Sequence, residues 1–329
     1  MLVRFFRSSF AGQYIAAGVF AAVLWAFVLP APPPMPEPSG PVILYQLLYR
    51  LLSGYPLVAS VAGFFVMLVS AFWVNLLFSK HELITKNSSF AAFLFIVLSC
   101  WHPSLMTLTP VNLSVLFFLS VIQSMLLAYN RPEPVDLTFS AGFMIMAASF
   151  IYIPSLFFYG FLLTTFLVYR TVKWREWMGS FIGLFTPLLF MAVYWFWTDR
   201  FVEVITEYGR YFSTFLFRNP WSDAGLWVPA LFFLVLTLAG FSFNFSHLQE
   251  KTVETRKKML LLIWLAVWTL ITSLYAGPLL VCHSLLAVPA IVPFISNLYL
   301  TRKRTLWWEL FLWAFILVIG VNLALNLIS

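Results

Sequence analysis

The sequence predicts an all-α protein, a polytopic transmembrane helical bundle of about 11 spans, and three observations predict it. First, 62% of its 329 residues are hydrophobic, 19% aromatic and only 9% charged, with a mean hydropathy of +0.93, far above the apolar share of a soluble domain. Second, the apolar stretches are long and continuous rather than alternating. Backbone groups in lipid must be satisfied within each segment, so helices are expected and a barrel is not. Third, Lys and Arg sit in short clusters beside those stretches, where they set orientation. The formal charge of +7 is therefore topogenic, and nucleic acid is not an expected partner.

Arg4 and Arg7 precede an apolar run from Phe10 to Leu29, long enough to span a hydrocarbon core of ~30 Å. It lacks a small-residue cleavage site, so it is expected to be a retained helix rather than a removed signal peptide. The tract from Pro30 to Pro41 holds seven prolines in twelve residues and should be extended chain, not helix. In Val42 to Ser53 the polar positions Gln46, Arg50 and Ser53 recur at helical spacing among Leu and Tyr, which predicts an interfacial helix. Leu57 to Phe78 returns to Lys80 and Lys86. Asn87 or Ser88 can cap a short helix from Phe90 to Trp101, ended by His102 and Pro103. Val111 to Tyr129 comes back to Arg131, and Thr138 to Ile153 goes out as far as the turn at Pro154. Ser155 to Tyr169 reaches Arg170, Lys173 and Arg175, and Gly179 to Thr198 leads out again. Leu226 to Phe245 returns to a basic cluster of Lys251, Arg256, Lys257 and Lys258. Met259 to Tyr275 runs outward, His283 to Leu300 inward to Arg302, Lys303 and Arg304, and Leu306 to Ile328 outward.

In this threading all but four of the 19 Lys and Arg fall on one side, which the positive-inside rule makes the cytoplasm. The amino terminus is then inside and the carboxyl terminus outside. Residues 1–329 read as a single transmembrane domain, with outer loops at 30–56 and 199–225 carrying interfacial helices at 42–53 and 199–218. Trp174, Trp177, Trp221, Trp227, Trp307 and Trp308 sit at helix ends, where amphipathic rings anchor at headgroup level. Asn75, Asn112, Gln123, Asn244 and Asn322 are available for hydrogen bonds between helices. Cys100 and Cys282 have no metal spacing and read as one bridge or as two buried thiols. His102 and His283 lack ligand-spaced partners and read as structural.

The polar interruption from Asp199 to Arg218 stands apart. On a helix, Asp199, Glu203, Thr206, Glu207, Arg210, Ser213, Thr214 and Arg218 share one stripe, while Phe201, Val202, Val204, Ile205, Tyr208, Tyr211, Phe212, Phe215 and Leu216 cover the rest. Such a helix lies along a membrane surface. Its acids Asp199, Glu203 and Glu207, with Asp223 beyond, and its Arg200, Arg210 and Arg218 crowd one loop of a sparsely charged chain. With Arg50 they are the four outer cations. The fork of Arg suits a phosphate, being planar, bidentate and permanently charged, so they are candidate ligands for a lipid-linked phosphate. The plainer alternative is that they neutralise Glu203 and Glu207 at three- and four-residue spacing and meet phospholipid headgroups. No phosphate-cradling glycine loop, paired-His zinc motif or nucleophile elbow is present, no metal or other cofactor is indicated, and no ionisable group lies near a helix centre as ion transporters require.

An outward helix, an outer loop with an interfacial helix, short middle helices and a second amphipathic loop after the seventh span together resemble the C superfamily of membrane glycosyltransferases. The likeness covers roughly the first 250 residues. It implies a polyprenyl-phosphate-linked substrate and an acidic group just after the first helix, where this chain reads Leu29, Pro30, Ala31, Pro32, Pro33, Pro34, Met35, Pro36, Glu37. Glu37 would be the base or metal ligand, Asp199, Glu203 and Glu207 would complete an acidic site, and Arg50, Arg200, Arg210 and Arg218 would hold phosphate. The stretches Asn87 to Pro103 and Phe139 to Pro154, with Arg175, Glu176 and Trp177, are similar to an uncharacterised family of bacterial polytopic inner-membrane proteins. Two functions are expected from these readings: binding or processing of a lipid-linked envelope precursor at the outer face, or a non-catalytic subunit beside other membrane proteins in a secretion or envelope-biogenesis assembly.

Overall fold

The computed structural model describes residues 2–84, 88–129, 131–169, 173–213, 226–301 and 306–328. Among the described residues every regular element is a helix and no strand occurs. In chain order these are α1 (Leu2–Phe5), α2 (Ala11–Ala26), α3 (Ile43–Leu52), α4 (Pro56–Lys80), α5 (Phe90–Ser99), α6 (Pro110–Ala128), α7 (Val135–Ser149), α8 (Tyr159–Tyr169), α9 (Trp174–Trp197), α10 (Phe201–Ser213), α11 (Trp227–Ser246), α12 (Val253–Ser273), α13 (Leu280–His283), α14 (Val288–Thr301) and α15 (Leu306–Ile328). Five of them, α4, α6, α9, α11 and α15, are long and apolar enough to cross a membrane, and Gly277–Leu286 with Val288–Thr301 makes a sixth such segment, bent by 43° at its break. The chain is a membrane protein.

Two expectations are corrected by local chemistry. The inward run from His283 to Leu300 is not one helix. The chain before Val288 divides into 3-10 turns and α13, and α14 begins only at Val288, with Pro289 in its first turn where a missing donor is tolerated and Pro293 inside it. Arg256, Lys257 and Lys258 are not in a loop but in the first turns of α12, because the Thr252 side chain accepts from the Thr255 N–H and starts that helix earlier. Lys258 is buried there against Glu254. The proposed cap Asn87, the basic residues Lys86, Arg170, Arg302, Lys303 and Arg304, and Trp221 lie outside the described residues.

The core follows from which helices are apolar all round, since such a helix has no face to give to water. All ten residues of α5 are buried, as is every residue of α14 from Val288 to Leu300. α9, α11 and α15 stand at the periphery with exposed apolar side chains such as Phe190, Leu231 and Leu317. The seam between α7 and α9 is close because it is built on glycine. A methyl at Gly183 would run into the Phe139 backbone, and one at Gly142 into the Ser180 carbonyl, the small-residue packing that substitutes for hydrophobic drive in lipid.

Polar side chains tie helices together as expected. Asn75 takes the Tyr14 hydroxyl as acceptor at 2.7 Å and accepts from the Ala92 N–H at 3.3 Å. Asn112 donates to the Gly63 carbonyl, Gln123 accepts from the Trp73 indole, and Asn244 donates to the Phe294 carbonyl. Asn322 is the exception, its Nδ2 meeting no partner. Both cysteines are buried and free. His102 accepts from the Ser104 N–H and caps a turn.

Chain segments meet in two sets. In one, Ser89 N–H donates to the Ser8 carbonyl, Arg7 to the Leu300 carbonyl and Val3 N–H to Glu309, and Lys257 and Lys258 lie over the Tyr129 ring. In the other, Leu44 N–H donates to the Phe150 carbonyl, the Trp25 indole to Ser60 and the Ser60 hydroxyl to the Met106 carbonyl. The candidate site belongs to the second set.

Candidate functional site

The site is built on the proline tract. Residues 32–39 have no regular structure, so their carbonyls need donors from elsewhere. They find them on two amphipathic helices. The Tyr45 hydroxyl donates to the Pro36 carbonyl at 2.8 Å and Gln46 Nε2 to the Gly40 carbonyl at 3.1 Å, both from α3. From α10 the Tyr208 hydroxyl donates to the Pro41 carbonyl at 3.3 Å. Gly40 itself adopts φ 85, and the Tyr211 ring lies against the position a Cβ would take, so the tract is pinched between the helices at a residue that must be glycine. Beneath it Met35, Val42, Tyr45, Ala59, Leu108, Ile151 and Ile153 form an apolar cluster separate from the main core.

α10 has three faces, not the two expected. Val204 is buried and Tyr208 and Tyr211 are half-buried against the protein. Tyr208 stands edge-on to Trp195, and the Tyr211 hydroxyl donates to the Tyr275 carbonyl at 3.2 Å. Burial pushes the Tyr208 and Tyr211 phenols up to about 12, Tyr208 with a contribution from Glu207. Phe201, Val202 and Ile205 are exposed on a second, apolar face. Thr206, Arg210 and Glu203 mark the third, exposed and polar, with the half-buried Glu207 at its border with the docked face.

The predicted site residues fall into separate groups. Glu37 and Arg50 line one opening with Pro38, Gln46 and Tyr49. Glu207 and Arg210 line a second with Gly40, Gln46 and Tyr211. Gln46 is common to both. Arg200 and Glu203 pair with each other at 3.0 Å, which holds the Glu203 carboxyl below its ordinary value. For that pair the neutralising role applies. Asp199 precedes α10 at φ 54, so the helix begins at Phe201 rather than at residue 199. Arg218, Asp223, Thr214, Phe215 and Leu216 lie outside the described residues. Among the described residues no three His, Cys, Asp or Glu side chains converge to hold a metal.

Tyr211 also borders a third space. This cavity, about 850 Å³ with its open mouth included, is lined by Tyr45, Ile151, Tyr152, Tyr211, Tyr275 and Leu279 among others. Of these tyrosines the sequence singles out only Tyr211, and that as part of the apolar surface of its helix. The available signal was Gln46 and Tyr45 side by side on a helix following a tract rich in unpaired carbonyls.

The fold and this arrangement define a helical membrane protein in which α3 and α10 close over a proline tract. The chain belongs to a family of unknown function (DUF6427), whose family model matches residues 39–328. No curated protein and no solved structure matches the chain.

Proposed function

We propose that the chain crosses the bacterial inner membrane eleven times and holds a lipid-linked phosphate at its outer face, between α3 and α10. The crossings are α2, α4, α5, α6, α7, α8, α9, α11, α12, the bent segment ending in α14, and α15. Several of these are short, and the 3-10 turns that follow α5 and precede α8 extend them. The two sets of contacts described above support this reading, because the segments from α2 to α7 arrive alternately at one set and the other. The positive-inside rule then puts the set with Arg7 and Lys258 in the cytoplasm and α3 and α10 on the periplasmic side.

The observation that carries the binding reading is the opening shared by Gln46, Glu207 and Arg210. It brings one guanidinium and one amide donor together between α3 and α10, the kind of donor set that a phosphate takes. Binding is favoured over glycosyl transfer because the carboxylates are divided: Glu37 lines the opening with Arg50, Glu207 the one with Arg210, and Glu203 is engaged with Arg200. Glu37 remains the base on which the glycosyltransferase-like reading depends. The second reading, a non-catalytic subunit of a membrane assembly, draws on the same Arg200–Glu203 pairing.

Purification of the full chain with native lipids followed by mass spectrometry tests this. A phosphate-bearing polyprenyl lipid should be enriched over bulk membrane with the wild type. Arg210→Gln should lower that enrichment about tenfold, the size of one lost charge-assisted hydrogen bond. A lipid complement equal to bulk membrane for both proteins would leave only the subunit reading.

A further inference from the structure

Three of the four phenols lining the cavity, all but Tyr275, have their protons assigned by their partners. Tyr45 donates to the Pro36 carbonyl at 2.8 Å and Tyr211 to the Tyr275 carbonyl at 3.2 Å, and a carbonyl can only accept. Tyr152 is settled by a longer chain of bonds. His283 Nε2 lies 3.0 Å from the Thr269 carbonyl, so that nitrogen must carry a proton. His283 is 1% exposed, and the groups bonded to it are Tyr152, Thr269 and Thr272, none of them a carboxylate. A buried imidazolium without a counter-charge is strongly disfavoured. The ring is therefore neutral, its Nδ1 is an acceptor, and the Tyr152 hydroxyl at 2.8 Å donates to it. The Thr272 hydroxyl gives its own proton to the Trp268 carbonyl, which leaves its oxygen to accept from Nε2 at 3.1 Å.

Each phenol has one proton, and all three are committed to the protein. Tyr45 is fully buried, so what remains for a ligand is the oxygen lone pairs of Tyr152 and Tyr211. No charged side chain lines the space among the described residues, and Ser39 and Tyr275 add two further hydroxyls to the lining. An anion placed there would face acceptors with no cation. A cation would be desolvated without a carboxylate. A neutral group bearing hydroxyl donors meets acceptors and aromatic walls that match it.

We infer that this cavity is a binding site for an uncharged hydroxyl-bearing group, with Tyr152 and Tyr211 as acceptors and His283 as the positioning residue that turns the Tyr152 proton away from the ligand. It is independent of whether Arg210 holds a phosphate at the neighbouring opening.

The test titrates the full-length protein in lipid nanodiscs with hexyl β-glucoside and with hexyl phosphate, by calorimetry. Wild type should bind the glucoside saturably, and Tyr152→Phe and Tyr211→Phe should each weaken it about tenfold, as for loss of one hydrogen bond with its partner left unpaired. His283→Phe carries the sharper expectation. With its acceptor gone, the Tyr152 proton turns into the cavity, and hexyl phosphate should bind several-fold more tightly than to wild type. Arg210→Gln should weaken hexyl phosphate and leave the glucoside unchanged. Glucoside binding that is absent, or unaltered in both phenylalanine variants, would overturn the inference, as would wild-type phosphate binding that depends on Tyr152. Because the Tyr211 variant lies on α10, outside the bundle, misfolding around His283 cannot imitate the result.

Discussion

At the scale of single residues, charge proved less informative than hydrogen-bond direction. Arg200, Arg210, Glu203 and Glu207 were conspicuous in a sequence with few charges, yet Arg200 and Glu203 satisfy each other in the open, where an ion pair is screened and weak. Arg200→Gln combined with Glu203→Gln should therefore leave both thermal stability and ligand retention unchanged, measured by melting curve and lipid mass spectrometry. Glu37→Gln carries the transferase question: unaltered function in that variant, with Arg210→Gln impaired, leaves binding without catalysis. A pH effect resides at the opposite end of the molecule. His81 is half-buried beside Lys258, Lys80 and Glu254, and burial first, then Lys258, lowers its imidazole from 6.5 to about 4. Between those values the unfolded chain binds more protons than the folded one. Stability should thus fall as the pH is lowered from 6.5 towards 4. A melting series over that range should show a shallower slope for His81→Asn, and equal slopes would show that other groups dominate.

At the scale of elements, the amphipathic pattern located α3 and α10 but not their orientation. The expectation of one wet and one greasy face omitted a third possibility, that part of the greasy face docks on protein. Tyr208 and Tyr211 do so through hydroxyls that reach backbone carbonyls of the proline tract and of Tyr275, and nothing in a helical wheel distinguishes a tyrosine that anchors in lipid from one that bonds to protein. Phe212 lies edge-on to Phe157 and stacked on Tyr208, so Phe212→Asp should release α10 and abolish function whichever ligand is bound, seen as new protease cleavage near residue 212. The seam of α7 and α9 makes a contrasting prediction. Gly183→Val places carbon against the Phe139 backbone and should cost ~1–3 kcal/mol as overpacking. Gly18→Val, where a Cβ meets nothing within 4 Å, should change stability far less. Chemical denaturation in detergent compares the two.

For the whole molecule, the distribution of Lys and Arg determines orientation because translocating them is costly. A reporter active only outside the cytoplasm should read outside when fused after Ser329 or within Pro30 to Pro41, and inside at Lys257. An inside carboxyl terminus would mean that one span is miscounted in the eleven proposed. The sequence by itself determined the all-helical membrane class and most segment boundaries to within a few residues. It also determined the extended proline tract and the positions of the two amphipathic helices. These depend on local properties: apolar length against bilayer thickness, proline's missing donor, and the period of polar residues. Tertiary structure alone decided that α5 and α14 form the buried centre and that the carboxylates divide between two openings. It also decided that Gln46, Arg210 and three tyrosines from distant parts of the chain share one region. Those facts depend on which faces meet and on which way each hydroxyl proton points, and in a chain this uniformly apolar neither is encoded by any local pattern.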